Sequence, residues 1–286
     1  MTSSRETPTE ELTLTVDGRL RRAKVVVPDG RGPWPLVLML HGAGGHPEWA
    51  LDETRWDRYG RRHGYFVLAP EATRPDPQSP ARFYTNPPVW NDGSAFPPAR
   101  NVRSVDDVKF LDSLLDEVAR RWRIDGQRIF ATGFSNGAGM TFRIGRELRH
   151  RFAAIAPIAG HPPVAGPRPP LPTLFMIGTQ DPLIPVGGGT VATPWAEAVE
   201  RPPVMESLAR WAEGMGLPRE PSQVLTAGPI RRDIWPSGWM EAWFIEGLGH
   251  HWPGGKAGLN RRIAGPASNV VDATRALGEF FDRFRR

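Results

Sequence analysis

Ser135 stands in the run Gly133-Phe134-Ser135-Asn136-Gly137, between an apolar, strand-like stretch and an amphipathic one. A serine between two glycines, where a strand turns into a helix, is typical of a nucleophile elbow that exposes the hydroxyl on a sharp turn. The glycines leave the space that such a turn requires. The pattern therefore indicates an attacking hydroxyl for acyl transfer. The plain alternative is a strand–helix turn whose serine only caps the helix.

An aspartate and two histidines that could complete such a site follow later apolar runs. Asp181 comes just after one run, where an aspartate can orient an imidazole and stabilise its protonated form. His250 and His251 lie in a glycine-flanked loop after the last such run, and their chemistry alone leaves open which would be the base. Because ligands bind beyond the carboxyl ends of strands in an open parallel sheet, we expect these groups to meet Ser135 there.

The turn His41-Gly42-Ala43-Gly44-Gly45 follows an earlier apolar run. Its glycines leave backbone N–H groups free to face a developing oxyanion, so we expect the N–H groups of Ala43 and Asn136 to form an oxyanion hole. The alternative is a purely structural glycine-rich turn. A dinucleotide-binding loop (G-x-G-x-x-G) is not matched, because the run His41-Gly42-Ala43-Gly44-Gly45-His46 lacks the last glycine.

Aromatic residues concentrate in the segments that should surround this site. Trp90 and Trp252 are predicted to contact substrate, and Phe83, Tyr84 and Trp195 lie in similar segments. Such a rim suits an apolar or aromatic acyl group. For any one of these side chains, packing of its loop onto the core is an equally good explanation.

The composition excludes several kinds of site. Cysteine is absent, so the chain has no disulfide, no thiolate nucleophile and no zinc–thiolate centre. The side chains of His250 and His251 diverge as neighbours, and no metal-binding spacing accompanies them. We therefore expect neither a metal nor a cofactor.

The length of 286 residues, with 40% hydrophobic and 23% charged residues, suits a single catalytic domain over residues 1–286. The net charge of +5 comes from scattered arginines, which form no concentrated stripe, so nucleic-acid binding is not expected. No apolar run reaches 18 residues, which argues against a membrane span. Residues 1–11 are polar and do not resemble a secretory leader, so a cytoplasmic location is expected unless a leader has been removed.

Apolar and alternating runs indicate strands that alternate with helices, which predicts an α/β fold with a mostly parallel central sheet and helices on both faces. Two segments, 71–101 and 182–203, interrupt this alternation and are predicted to form pocket or lid loops. The predicted elements are a hairpin at 12–16 and 20–27, strands at 35–40, 65–70, 128–133, 153–158, 173–177 and 241–245, and helices from 104, from 136 and over 267–284.

Together these motifs resemble those of α/β-hydrolase esterases grouped with polyhydroxybutyrate depolymerases and feruloyl or acetylxylan esterases. The matching pieces are Leu40-His41-Gly42-Ala43-Gly44-Gly45, Val105-Asp106-Asp107-Val108-Lys109-Phe110, Ile124-Asp125, Ala131-Thr132-Gly133-Phe134-Ser135-Asn136-Gly137-Ala138, Gly178-Thr179-Gln180-Asp181-Pro182-Leu183-Ile184-Pro185 and Gly249-His250-His251-Trp252-Pro253-Gly254, with Trp90-Asn91 resembling a motif beside the pocket.

The resemblance implies an α/β-hydrolase fold with Ser135 as nucleophile, Asp181 as orienting acid and His250 as base, and it places His251 at a variable position. It implies hydrolysis through an acyl-enzyme of short-chain, hydroxyalkanoate-oligomer or hydroxycinnamoyl-type esters. A serine peptidase on the same fold and a non-catalytic binding protein are the alternatives. The chain departs from its relatives in lacking cysteine, with Leu217 where they often have one.

Overall fold

The computed structural model describes residues 9–195 and 198–286. Residues 1–8, which form most of the segment behind the expectation of no leader, lie outside the described residues, as do residues 196 and 197 of the segment 182–203. The strands are β1 (Glu10–Val16), β2 (Arg19–Val26), β3 (Trp34–Leu40), β4 (Phe66–Pro70), β5 (Ile124–Phe134), β6 (Ala154–Ile158), β7 (Thr173–Gly178), β8 (Gly189–Ala192), β9 (Ala198–Arg201), β10 (Gln223–Ala227), β11 (Ile230–Ile234) and β12 (Met240–Ile245). The helices are α1 (Pro47–Thr54), α2 (Trp56–His63), α3 (Pro97–Arg100), α4 (Asp107–Arg121), α5 (Asn136–Glu147), α6 (Val204–Gly214), α7 (Arg261–Ala264) and α8 (Ala273–Phe281).

A ten-stranded sheet runs in the order β1-β2-β4-β3-β5-β6-β7-β12-β11-β10. The strands from β4 to β12 in this order pair in parallel. The hairpins β1–β2 and β10–β11 extend the two edges by antiparallel pairing. The carboxyl ends of the parallel strands therefore share one edge, where the site was expected.

Alternate residues of β3 belong to two different apolar cores. Leu36, Leu38 and Leu40 pack with apolar residues of α4, α5 and α6. Val37 and Met39 pack with apolar residues of α1, α2 and α8. Because successive side chains of a strand point to opposite faces, helices cover both faces of the sheet. The predicted α/β fold with a mostly parallel sheet is confirmed.

Two predicted elements differ from the structure. The closing helix was expected over 267–284, but α8 begins only after Asp272, whose carboxylate accepts the N–H of Arg275 at 3.1 Å as a helix cap. The segment 182–203 is not entirely irregular, because β8 and β9 pair within it as a small antiparallel sheet of their own. The sequence did not indicate this hairpin, because the segment is rich in glycine and proline, which are typical of irregular loops.

The hairpin β10–β11 was not predicted. Every residue of β10 is exposed, so the strand lacks the alternation of buried apolar and exposed polar residues that marks a half-buried strand.

The segment 71–101 is largely irregular, as expected, with α3 and two isolated bridges, Thr73 to Val89 and Arg82 to Asn86. Among the described residues, no helix is long and apolar enough to cross a membrane. The single-domain organisation and the cytoplasmic location stay predictions.

A buried ion pair ties the edge of the sheet to the segment that approaches the site. The Arg21 guanidinium of β2 lies 2.8 Å from Oδ1 of Asp107, the first residue of α4, and both side chains are almost fully buried. Oδ2 of Asp107 accepts the N–H of Asn91 at 2.8 Å, and Nδ2 of Asn91 donates to the carbonyl of Val105 at 2.9 Å. Burial raises the pKa of Asp107, and the charge of Arg21 opposes that rise. The pair therefore fixes residue 91 against α4.

We expect Asp107→Ala to lower the free energy of unfolding by about 3–5 kcal/mol, because it leaves the Arg21 cation buried without its partner. Lys109→Ala is the matched control, since it removes the exposed ion pair between Lys109 and Asp17, which joins the same helix to the same hairpin. Exposed pairs contribute about 0–1 kcal/mol. Urea titrations of both variants measure the two losses, and equal losses would contradict this account of the buried pair.

Candidate active site

Ser135 occupies the turn between β5 and α5 in a strained backbone conformation. Its φ of 57° and ψ of −119° lie in a region that favours glycine. Its N–H donates to the carbonyl of Ile158 at 2.9 Å, which ties the turn to the neighbouring strand β6. The serine thus stands at the carboxyl edge of the parallel strands, directly before the first residue of a helix.

The two glycines flanking Ser135 are needed for close backbone contacts. A Cβ on Gly133 would lie 2.3 Å from the carbonyl oxygen of Gly137. A Cβ on Gly137 would lie 2.4 Å from the carbonyl oxygen of Leu40 and 2.5 Å from that of His41. Any side chain at either position would push α5 away from β3 and β5. The Gly-x-Ser-x-Gly pattern is therefore a steric requirement of this turn.

Asp181 and His250 form a buried pair. Nδ1 of His250 lies 2.7 Å from Oδ2 of Asp181, and neither side chain is more than 3% exposed. Oδ1 of Asp181 accepts the N–H groups of Leu183 and Ile184, both at 2.8 Å. These bonds hold the carboxylate still, and a carboxylate can only accept, so His250 donates from Nδ1. Its Nε2 is then the nitrogen available as a base.

His251 makes a different contact from its neighbour. Its Nε2 lies 3.1 Å from the carbonyl oxygen of Gly265, and the side chain is buried. The structure therefore brings His250, and not His251, to Asp181. The residue types alone left the choice of base open, and the role of His250 as base stays a prediction.

Two backbone N–H groups beside Ser135 are available to an oxyanion. Asn136 is the first residue of α5, and the first N–H groups of a helix have no acceptor within it. In the turn after β3, the N–H of Gly44 donates to Pro88 and that of Gly45 to Gly42. No acceptor in the described part of the chain receives the N–H of Ala43. The sequence predicted these two N–H groups as an oxyanion hole, and that role stays a prediction.

The side chain of Asn136 has a role that the sequence did not indicate. Its Oδ1 accepts the N–H of Trp90 at 2.7 Å, and its Nδ2 donates to the Trp90 carbonyl at 3.1 Å and to Oδ2 of Asp92 at 2.8 Å. The amide thus clamps the segment 90–92 to the start of α5. Asp92, which the sequence analysis missed, is buried and borders the cavity.

The prediction that Trp90 and Trp252 contact substrate requires correction. Trp90 is fully buried, and its Nε1 donates to the His41 carbonyl at 2.9 Å. Trp252 is 2% exposed within the core beside α8, and its Nε1 donates to Oγ1 of Thr274 at 3.1 Å. Neither side chain lines the cavity. Both indoles support the loops around the site, which is the alternative that the sequence left open.

A cavity of about 460 Å³ opens at this edge and includes both Ser135 and His250 in its wall. One side is aromatic, since the rings of Phe83, Phe96 and Trp195 pack in series at centroid distances of 5.2 and 5.3 Å. Phe83 and Trp195, together with Tyr84, were expected in this region, whereas Phe96 was not. Among the described residues, no group of three or more histidines, aspartates or glutamates is arranged to hold a metal ion.

His41, at the start of the turn that carries Ala43, is held as a neutral imidazole. Its Nε2 accepts the N–H of Ala72 at 3.1 Å, and its Nδ1 lies 2.7 Å from the Gly42 carbonyl oxygen. A backbone N–H can only donate and a carbonyl can only accept, so the single proton is on Nδ1. Burial lowers the pKa of His41 to about 4. The ring therefore fixes the turn only while it remains neutral.

Comparisons with known proteins agree with these motifs and this fold. The family model described as esterase PHB depolymerase matches residues 26–162. The chain is 28% identical over 185 residues to feruloyl esterase D of Neurospora crassa, covering 63% of this chain and 60% of that protein. It is 33% identical over 163 residues to oxidized polyvinyl alcohol hydrolase of a Sphingopyxis species, covering 50% of this chain and 44% of that protein. The chain thus spans about half the length of the curated relatives it matches.

A solved acetyl xylan esterase from Aspergillus awamori superposes with a TM-score of 0.62 at 13% identity, covering 96% of this chain and 99% of that one. At this identity the likeness shows the fold, and the fold is that of the α/β-hydrolases. The resemblance to the polyhydroxybutyrate depolymerase and feruloyl or acetylxylan esterase family, predicted from the motifs, is confirmed.

We expect Ser135→Gly to be more stable than Ser135→Ala by about 1 kcal/mol, because glycine adopts this φ and ψ without the strain of about 1–3 kcal/mol that other residues incur. Both variants lose the hydroxyl, so the comparison isolates the backbone. Thermal or chemical unfolding of the two proteins measures the difference. An alanine variant as stable as the glycine variant would show that the turn is not strained.

We expect acid to destabilise the fold through His41. Its pKa in the folded state, about 4, lies below the ordinary value of 6.5, so the unfolded chain gains a proton first as the pH falls. The stabilisation is present above about pH 6.5 and is lost progressively towards pH 4, by up to roughly 3 kcal/mol.

Urea unfolding at several pH values between 7 and 4 tests this dependence. His41→Gln, which keeps one donor and one acceptor but does not titrate, should flatten the decline. His63→Gln, at an exposed position, should leave it as in the original chain. A decline that is the same in all three proteins would mean that other groups control the acid response.

Proposed function

We propose that this chain, which is similar to esterases of the polyhydroxybutyrate depolymerase family over residues 26–162, is a serine carboxylic ester hydrolase. The observation that carries the proposal is the buried pair of His250 and Asp181, which shares one cavity edge with a serine on a strained strand–helix turn. Such a pair polarises a hydroxyl, and a turn of this shape exposes it.

In the first step, Nε2 of His250 takes the proton of Ser135 as Oγ attacks the ester carbonyl carbon. Asp181 holds the imidazole by its Nδ1 and stabilises the positive charge that forms on the ring. The carbonyl oxygen becomes an oxyanion, and the N–H groups of Asn136 and Ala43 would receive it. His250 then returns the proton to the departing alcohol, which leaves an acyl group on Ser135.

In the second step, a water molecule attacks the acyl-enzyme while His250 again accepts the proton. The same two N–H groups stabilise the second oxyanion, and each such donor typically contributes about 3–4 kcal/mol to lowering a barrier. Collapse of this intermediate releases the carboxylic acid and restores the Ser135 hydroxyl. No step of this sequence needs a metal or a cofactor.

The substrates proposed for this site are short-chain esters, soluble hydroxyalkanoate oligomers and hydroxycinnamoyl-type esters. The cavity of about 460 Å³ has room for an acyl group of this size, and the rings of Phe83, Phe96 and Trp195 offer it an apolar wall. The names of the relatives include esterases of feruloyl and acetylxylan type.

We expect Ser135→Ala to lower kcat for p-nitrophenyl butyrate by at least about 10⁴-fold and Asp181→Asn by a similar factor, because each removes a member of a cooperating unit. Labelling with a fluorophosphonate should disappear in Ser135→Ala. It should persist in Ser94→Ala, which removes another serine of the same cavity. Mapping the label to a residue other than Ser135 would overturn the assignment.

The same assay separates the alternative functions. A serine peptidase would cleave a peptide anilide at a rate comparable with that of the ester, whereas an esterase should turn over only the ester. A binding protein would hydrolyse neither substrate and would take no label. Since the chain retains all three of Ser135, Asp181 and His250, we expect ester turnover and labelling together.

A further inference from the structure

Arg201 brings a positive charge to the wall of the cavity, and no ion pair within residues 9–195 and 198–286 neutralises it. It ends β9, in the small sheet of the segment 182–203, and borders the same cavity as Ser135 and His250. Its Nε is buried without a hydrogen-bond partner among the described residues. No carboxylate of that part of the chain approaches its guanidinium within 4.0 Å. Since burying a donor or a charge without a partner is costly, this group is suited to an external acceptor.

The two carboxylates whose charges act on the pKa of Arg201 are hydrogen-bonded to other groups. Asp181 holds His250 and two backbone N–H groups, and Asp92 accepts from Asn136 and from the N–H of Ser94. Both raise the pKa of Arg201, while burial, the largest influence, lowers it. Their charges thus act at a distance, and neither closes on the guanidinium.

His161 lines the same cavity and also carries an unsatisfied polar atom. Its Nδ1 lies 3.1 Å from Oγ of Ser207, and that oxygen accepts from Nη2 of Arg210 at 3.4 Å. With one lone pair of the Ser207 oxygen engaged by Arg210, we assign the hydroxyl proton to Nδ1 of His161, which leaves the ring proton on Nε2. This Nε2 is buried and has no partner among the described residues.

His161 is neutral at ordinary pH. Burial, followed by the charges of Arg201 and Arg210, lowers its pKa to about 4, and Asp181 opposes this shift. The ring thus adds a neutral N–H donor beside the guanidinium. The same cavity has apolar residues in its wall, including Pro163 and Ile184, and the Phe96 ring centre lies 5.8 Å from the guanidinium carbon of Arg201.

We propose that Arg201 and His161 form a carboxylate-binding subsite. The preferred esters then carry, besides the scissile ester, a free carboxylate that a short apolar spacer separates from it. The Arg201 guanidinium and the His161 N–H both donate hydrogen bonds, and a carboxylate only accepts them. The planar guanidinium of arginine can also bind both oxygens of a carboxylate at once. Half esters of dicarboxylic acids and hydroxy-acid oligomers with a free acid end have this chemistry. The inference rests on the ester hydrolase function proposed above.

Two pairs of substrates of equal size test the preference and locate the carboxylate. Monomethyl succinate against methyl levulinate places it on the acyl side, and 3-acetoxypropanoate against 4-acetoxy-2-butanone places it on the alcohol side. We expect kcat/KM to favour the carboxylate at least about tenfold in one pair, chiefly through KM. Charge-assisted hydrogen bonds are typically strong enough for an effect of roughly 10- to 100-fold.

Arg201→Gln should abolish the preference, so that kcat/KM for the carboxylate ester falls to that for the neutral ester of the same pair. Arg201→Lys, which keeps the charge but loses the fork, should retain part of the preference. Arg120→Gln is the control, since it removes the same charge from an exposed position on α4. A preference absent from the original chain, or one that survives in Arg201→Gln, would overturn the subsite.

Binding of succinate by calorimetry keeps this test separate from catalysis. We expect succinate to bind the original chain and Ser135→Ala alike, at least about tenfold more tightly than succinamide, and to lose this advantage in Arg201→Gln. If no ester is hydrolysed but succinate binds in this manner, the hydrolase proposal fails and the subsite stands. Equal binding of succinate and succinamide by the original chain refutes the subsite. If Arg201→Gln does not fold, the same measurement on Arg201→Lys replaces it, and a partial loss of the advantage of succinate is expected there.

Discussion

The close approach of α5 to the end of β3 is the contact on which the arrangement of the site depends. The backbone of Gly137 packs against the carbonyl groups of Leu40 and His41, at a distance that no side chain would permit. This contact places Ser135 at the sheet edge and brings the start of the helix next to the turn that carries Ala43. The strained backbone at Ser135 is therefore a consequence of the tight turn from β5 into α5 that this contact requires.

Polar groups of the segment 90–92 secure this arrangement. The Asn136 amide binds the segment 90–92 at three points, and Trp90 in turn binds the carbonyl of His41. The same segment is anchored further away by Asp107, whose charge is balanced by Arg21. The result is a continuous chain of buried hydrogen bonds from β2 to the turn that carries Ser135. Since such networks are costly when partly satisfied, each member constrains the next.

The sequence was informative where local chemistry and position in the fold coincide. Ser135, Asp181 and His250 each follow a strand with a strong apolar signal, so a parallel sheet brings them to one edge whatever the loops do. The pairing of His250 with Asp181 depends on the path of the loop after β12, and residue types alone could not distinguish it from a pairing with His251.

Residues whose role depends on loop packing could not be predicted in this way. Trp90 and Trp252 were expected at the cavity because they lie in loops beside the site, yet hydrogen bonds of their indole groups turn them inward. Arg201 and His161 went unnoticed for the converse reason. The first lies in a hairpin rich in neighbouring glycines and prolines, and the second follows an apolar run without any motif. Only the three-dimensional path of these segments shows that both border the cavity.

The hairpin β8–β9 forms a sheet of its own and adds no strand to the ten that hold Ser135, Asp181 and His250. In the function proposed for this chain, Ser135, Asp181 and His250 would carry out the chemistry, and Arg201 would contribute to selectivity from this separate sheet. Insertions or exchanges in this hairpin can remodel one wall of the cavity without disturbing the register of the central strands. The hairpin is therefore a natural place to graft new selectivity by design.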